Sequence, residues 1–239
     1  MGWFSWSRTA AVAALVLGAA SCGSDDTAAT PPTAEELAAT LVTVDDYEGD
    51  WTVNAGPDDS IDMSTGVVPD EMQDLLPRLD FCDEASDESR AAAEEVQWQA
   101  FRQLDLTVED PIRPPDREGH MVSVQQYLTA ADPAEIEATF DVLRDGMEAC
   151  LGDIAAGEEG PGTAVEMTIP EVGDDRYGVL LTFEEAGGWA EWRLHPALVR
   201  QGPVLMSMQV MDIRAGEGVG PYYSVEEVGA MFQTAVDRL

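Results

Sequence analysis

"DRYGVLLTFEEAGGWAEWRLHPALVRQGPVLMSMQVMDI", residues Asp175–Ile213, is the stretch that decides the fold. Tyr177, Val179, Leu181 and Phe183 occupy alternate positions, the period of a strand with one buried face. "EEAGG" (184–188) turns the chain into a second extended run from Trp189 to Leu198. "RQGP" (200–203) turns it again into "VLMSMQVMDI", where Val204, Met206, Met208 and Val210 share a face. Both turns are too short to hold a crossover helix, so the three strands form an antiparallel meander. A run of strands without intervening helices points to an α+β fold, not to alternating α/β.

Upstream and downstream, helix starts are written in capping residues. Thr33 and Glu36 form a capping box ahead of Leu37 and Leu41. Asp132 and Pro133 supply an N-cap and a first-turn proline. Ile136, Phe140, Leu143, Met147 and Cys150 follow on one helical face. Ser224 and Glu227 make a second box, and Val225, Val228, Phe232, Ala235 and Leu239 continue its stripe. An Ala- and Glu-rich helix is expected over 87–95, and a short one over 69–76 that Pro77 interrupts. Further strands are expected at Trp51–Ala55, across Val96–Leu106 with Phe101 facing the other way, and at 120–129. The expectation is a largely antiparallel sheet of about five to seven strands. Two main amphipathic helices, 132–151 and 224–239, are expected to pack on one face of it. Residues 152–163, "GDIAAGEEGPGT", read as a flexible acidic loop.

The chain has 239 residues and 45% hydrophobic content, enough for one sizeable core. It carries 47 acidic residues against 12 basic ones, every one of them Arg, for a formal net charge of −35. Such a surface repels nucleic-acid phosphates and anionic lipid head groups, which excludes a nucleic-acid role.

The amino terminus has its own logic. Arg8 precedes an apolar stretch, residues 9–20, that suits a signal-peptide core and falls short of the roughly 20 residues a transmembrane helix needs. It ends in "AASC", Ala19–Cys22, which resembles the bacterial lipobox, with Ala19 where Leu is more usual. That resemblance implies acylation of Cys22, cleavage before it and anchoring to the lipid bilayer, since several acyl chains hold firmly where one is marginal. The expected division is a lipoprotein signal peptide over 1–21, a lipidated flexible tether over 22–32, and one domain over 33–239. Cys82 and Cys150 then remain, and two cysteines outside the cytoplasm most often pair.

Several stretches resemble a known family. "LVTVDDYEGDWTV" (41–53), "VQQYLTAADPAEIEATFDVLRDGMEAC" (124–150) and "WRLHPALVRQGPVLMSMQV" (192–210) occur in that order, followed by a closing amphipathic helix. This is similar to the opening, the strand with its long Cys-ended helix, and the paired strands of actinobacterial PknH-like extracellular sensor domains. The resemblance implies an extracytoplasmic sensor-like domain of the cell envelope that binds a ligand or partner and performs no reaction. No kinase precedes the domain in this sequence.

The chemistry-bearing residues are sparse. His120 and His195 are the two histidines, and no HxxxH or HxH spacing joins them. No GxSxG elbow is present, so an envelope hydrolase, the rival reading, needs a dispersed active site. A scaffold subunit without a small-molecule ligand is a further alternative. "GEGVGP" (216–221) lacks the third glycine of a dinucleotide fingerprint. "PDDSID" (57–62) and "GDIAAGEEG" (152–160) gather carboxylates without the spacing of an EF-hand, so no metal or cofactor is expected. Trp98, Tyr177, Trp189 and Trp192 are the candidate ligand-binding residues, with core packing as the competing role. Trp189 and Trp192 differ by three, so on a regular strand one of them faces outward.

Overall fold

The structure, a computed structural model, describes residues 30–54, 65–69, 84–107, 119–157, 160–184, 190–215 and 221–239. Along the chain these form α1 (Ala34–Thr40), β1 (Trp51–Asn54), α2 (Asp87–Glu95), β2 (Ala100–Leu106) and β3 (Gly119–Ala130). There follow α3 (Pro133–Ala149), β4 (Gly152–Gly157), β5 (Gly160–Glu166), β6 (Asp175–Glu184), β7 (Ala190–Gln201), β8 (Val204–Ala215) and α4 (Val225–Val236). The fold is α+β, with eight strands and four α-helices among the described residues. The expected helices at 34–40, 87–95, 133–149 and 225–236 form, with Thr33, Ser86, Asp132 and Ser224 each accepting a backbone N–H as N-cap. The short helix expected over 69–76 falls largely outside the described residues.

All eight strands join one antiparallel sheet in the order β1-β2-β3-β8-β7-β6-β5-β4. The order has a simple physical origin. β1 to β3 build one side, and α3 then carries the chain over the sheet to its far edge. From there β4 to β8 meander back until β8 docks on β3. α3 has 17 residues, about 25 Å of helix. Five strand spacings separate β3 from β4, about 24 Å at the usual inter-strand distance. Helix length and sheet width therefore match.

Two expectations are corrected. The sheet has eight strands, not five to seven, and the additions are β4 and β5, cut from the segment read as an acidic loop. That hairpin is Gly- and Ala-rich and lacks alternation. Its register shifts between Ile154 and Gly157, and backbone pairing at the sheet edge holds it without an apolar pattern. The second correction concerns the helices, which do not share a face. α3, with α2, covers one face, where Phe101, Tyr127, Val179, Leu198 and Leu205 meet Ile136, Phe140, Leu143 and Met147. α4 and α1 belong to the other face, where Leu104, Val124, Met206, Met208 and Val210 form a core with Leu37, Leu41, Val228 and Phe232. β8 alternates strictly between these cores, Leu205 to one and Met206 to the other. A strand buried on both faces reads as the near-continuous apolar run of "VLMSMQV".

The α4 face is closed by two further contacts. The segment after β5 lies across β6, burying Met167, Ile169 and Val172. Gly178 of β6 permits this, because a Cβ there would stand 2.5 Å from Ile169 Cδ1. Arg238, just past α4, donates to the Thr40 carbonyl (3.2 Å) and to Asp46 (3.0 Å), tying the last helix to the first.

Candidate functional site

Among the described residues the α3 face is only partly roofed. Cross-strand register places Phe183, Trp192, Ile213 and Met121 in one row across β6, β7, β8 and β3. Leu181, Leu194 and Met211 form the next row, which ends at Ser123. Rows nearer α3, including Leu198 and Leu205, are fully buried, whereas Phe183, Trp192, Leu194, Met211 and Ile213 are half-buried. Met121 is 50% exposed. The Phe183 ring lies against the bare backbone of Gly162, where a Cβ would be 2.5 Å from Cδ1. The result is an apolar stripe on a sheet face, beyond the helix that covers the rest.

A ladder of polar side chains borders the stripe on the same face. Asn54 Nδ2 donates to Asp105 (2.6 Å), and Gln103 Nε2 donates to the other oxygen of Asp105 (3.0 Å). Gln125 Nε2 donates to Gln103 Oε1 (3.2 Å), and the Tyr127 hydroxyl donates to Gln125 Oε1 (3.1 Å). Tyr127 anchors the ladder to the core through ring contacts with Phe101 (4.8 Å) and Trp98 (5.5 Å). Burial raises its pKa above the usual tyrosine value. Such a face offers amide donors and acceptors beside aromatic and aliphatic surface, the mixture from which small-molecule sites are built.

The residues singled out from the sequence do not converge. Trp98 is 5% exposed and belongs to the core with Tyr127 and Phe101. It lies before the first residue of β2, which is why it faces the core opposite to that of Ala100 and Leu104. Trp192 sits in the half-buried row, while Tyr177 pairs with Leu198 under α3. The Tyr177 hydroxyl is buried without a hydrogen-bond partner, and burial, then Glu166 and Glu148, raise its pKa. Cys150 caps the C-terminal end of α3 and is half-buried. Trp189, Cys22 and Cys82 lie outside the described residues, as do "PDDSID" and residues 216–220 of the glycine-rich loop. Phe183, Ile213, Met121 and the amide ladder were not anticipated. Their signal was present in Asn54 of β1, Phe183 of β6 and the odd-numbered positions of β2, β3 and β8.

His195 is a buried titratable group of the opposite face. It is 1% exposed, its Nδ1 is 3.5 Å from Met167 Sδ, and its Nε2 has no hydrogen-bond partner. Burial pushes its pKa down to about 4 against the opposing pull of Asp212, so the ring is neutral at pH 7. Pro196 beside it has no N–H for the ladder, which passes from Gly178–Ala197 to Leu181–Leu194. Asp212 is also buried, and its Oδ2 accepts the backbone N–H groups of Tyr222 (2.6 Å) and Tyr223 (3.4 Å). That carboxylate positions the chain entering α4. His120 lies in β3 opposite Arg214. Among the described residues no three His, Cys, Asp or Glu side chains are grouped to hold a metal ion. Among the same residues no helix is long and apolar enough to cross a membrane.

No family model matches the chain, and no curated protein matches it. Solved structures do. The chain is similar to the extracellular domain of PknH from Mycobacterium tuberculosis, with a TM-score of 0.41 at 15% identity, over 87% of this chain and 97% of that one. It is similar to LpqN of M. tuberculosis, described as involved in cell envelope biogenesis, with a TM-score of 0.25 at 13% identity, over 83% and 96% of the two chains. A protein of unknown function from Pseudomonas aeruginosa, described as a putative regulator, gives a TM-score of 0.28 at 11% identity, over 61% and 85%. At these identities no residue role passes from those proteins to this one.

Proposed function

We propose that this chain is a lipoprotein of the cell envelope, anchored by acylated Cys22 on the outer side of the membrane, whose α+β domain binds a ligand or partner and catalyses no reaction. The observation that carries the binding role is the half-buried stripe of Phe183, Trp192 and Ile213 beside the Asn54–Asp105–Gln103–Gln125 ladder. Hydrogen-bonding side chains there are held in place by one another, and preorganised polar groups bind without first losing rotamer freedom. The lipobox-like "AASC" supports the address. A bridge between Cys82 and Cys150 belongs to the same proposal. Such a bridge suits an oxidising compartment.

Native mass spectrometry of the full-length protein exposed to an envelope extract tests the binding role. The expected result is a stoichiometric adduct that dissociates with its mass unchanged and is lost in Trp192→Ala. An adduct consumed over time, with release of cleaved product, would establish the hydrolase instead. Retention of the same adduct by Trp192→Ala removes the stripe from the site.

A further inference from the structure

In a molecule so short of cations, the described arginines are almost all spoken for. Arg144, Arg176, Arg193, Arg200, Arg214 and Arg238 each hold a carboxylate, and Arg90 donates to the Ala85 carbonyl. Arg102 is different. It lies in β2 on the α4 face, half-buried, and makes no hydrogen bond or ion pair among the described residues; its Nε is buried with no partner there. Its cross-strand neighbour Gln126 turns its Oε1 to the Val42 N–H (2.8 Å) and not to Arg102. The guanidinium head lies between Gly66 and the end of α1. A Cβ built on Gly66 would stand 3.1 Å from Arg102 Nη2, 2.6 Å from Leu41 Cδ1 and 3.6 Å from Ala38 Cβ. Among the described residues the charge that acts on Arg102 is another cation, Arg238; burial, then that charge, lower its pKa.

This arrangement is costly for a purely structural residue. The buried Nε–H of this guanidinium forfeits hydration and gains no bond, and a like charge beside it adds repulsion. An uncharged side chain of similar length would pack there without either penalty. The arrangement is economical if an acceptor arrives from outside. Guanidinium presents a planar fork that matches the paired oxygens of carboxylate or phosphate. Arg238, held by Asp46 and Thr40, adds positive potential without being free to move. Elsewhere the net charge of −35 repels anions.

We propose that Arg102, at the junction of α1, β2 and Gly66, anchors a site for an oxyanion carried by a ligand, either a carboxylate or a phosphate group. The site is independent of the apolar stripe, which occupies the opposite face of the sheet. The test is a titration of the full-length protein in detergent with inorganic phosphate and, separately, with acetate. Ionic strength is kept constant with sodium chloride, and the Arg102 Nε–H resonance is followed by NMR. The expected result is a saturable shift of that resonance with at least one anion. A response to phosphate alone assigns the group as phosphate, and a response to acetate assigns it as carboxylate. By methyl resonances of the site, Arg102→Gln binds about tenfold or more weakly, the usual loss of a charge-assisted hydrogen bond. Arg102→Lys, which keeps the charge and loses the fork, falls between the two and serves equally if the Gln variant fails to fold. No saturable shift with either anion, or equal affinity in wild type and variants, overturns the proposal.

Discussion

Trp98 and Trp192 show how much one residue type can mean at two places. Both sit near strands and both read as pocket candidates in the sequence. Trp98 is sealed between Tyr127 and the α2 side of the core, whereas Trp192 stands in a half-buried row. Trp98→Ala is therefore expected to cost about 3–5 kcal/mol of stability. Trp192→Ala costs less than that and acts on binding; urea unfolding of the two variants measures the difference. His195 supplies a second residue-scale prediction. Its pKa is depressed to about 4 in the folded protein, against about 6.5 in an unfolded chain. The unfolded state thus takes up a proton first as pH falls, so the stabilisation is complete above pH 6.5 and is lost on the way down to about 4. The loss is on the order of 3 kcal/mol. Unfolding free energies at pH 7 and 4.5 should differ less for His195→Leu than for wild type. An identical pH dependence in the two proteins would contradict the buried neutral ring.

At the scale of elements, helices were the most legible part of the chain. Their boundaries are set by local hydrogen bonds from Thr33, Asp132 and Ser224, and local chemistry is written in consecutive residues. Ser224→Ala removes the acceptor for the Glu227 N–H and leaves the reciprocal box broken. It should destabilise the protein by about 1 kcal/mol, seen as a lower midpoint in thermal or urea unfolding. The β6–β7–β8 meander was equally plain, because short turns leave no other topology. The β4–β5 hairpin was not, since an edge pair held by backbone bonds needs no apolar signature. Nor was the face that each helix covers. α3 and α4 have equivalent stripes, and a sheet whose central strands are apolar on both sides accepts either helix on either face. Only the crossing from β3 to β4, a long-range feature, commits α3 to its side. The candidate site was half legible for a related reason. Trp192 and Tyr177 stand out in the sequence, but the ladder of Asn54, Asp105, Gln103 and Gln125 exists only through pairing of three strands.

The whole molecule is a three-layer body, helices above and below one sheet, wrapped in excess negative charge. Like charges at that density oppose compaction, and salt screens them. The melting temperature is expected to rise as sodium chloride goes from about 10 mM to about 500 mM, over which the Debye length falls from roughly 30 Å to a few ångströms. Most of the gain should come early in that range, and a melting temperature that falls with salt would mean surface ion pairs outweigh the repulsion. Where the body resides depends on the segment before it. Intact mass spectrometry of the protein from the membrane fraction, with and without reductant, addresses this directly. A mature chain beginning at acylated Cys22, gaining two hydrogens on reduction as a Cys82–Cys150 bridge opens, is the predicted result. An unacylated chain retaining Met1, recovered from the cytosol with free thiols, would contradict the account.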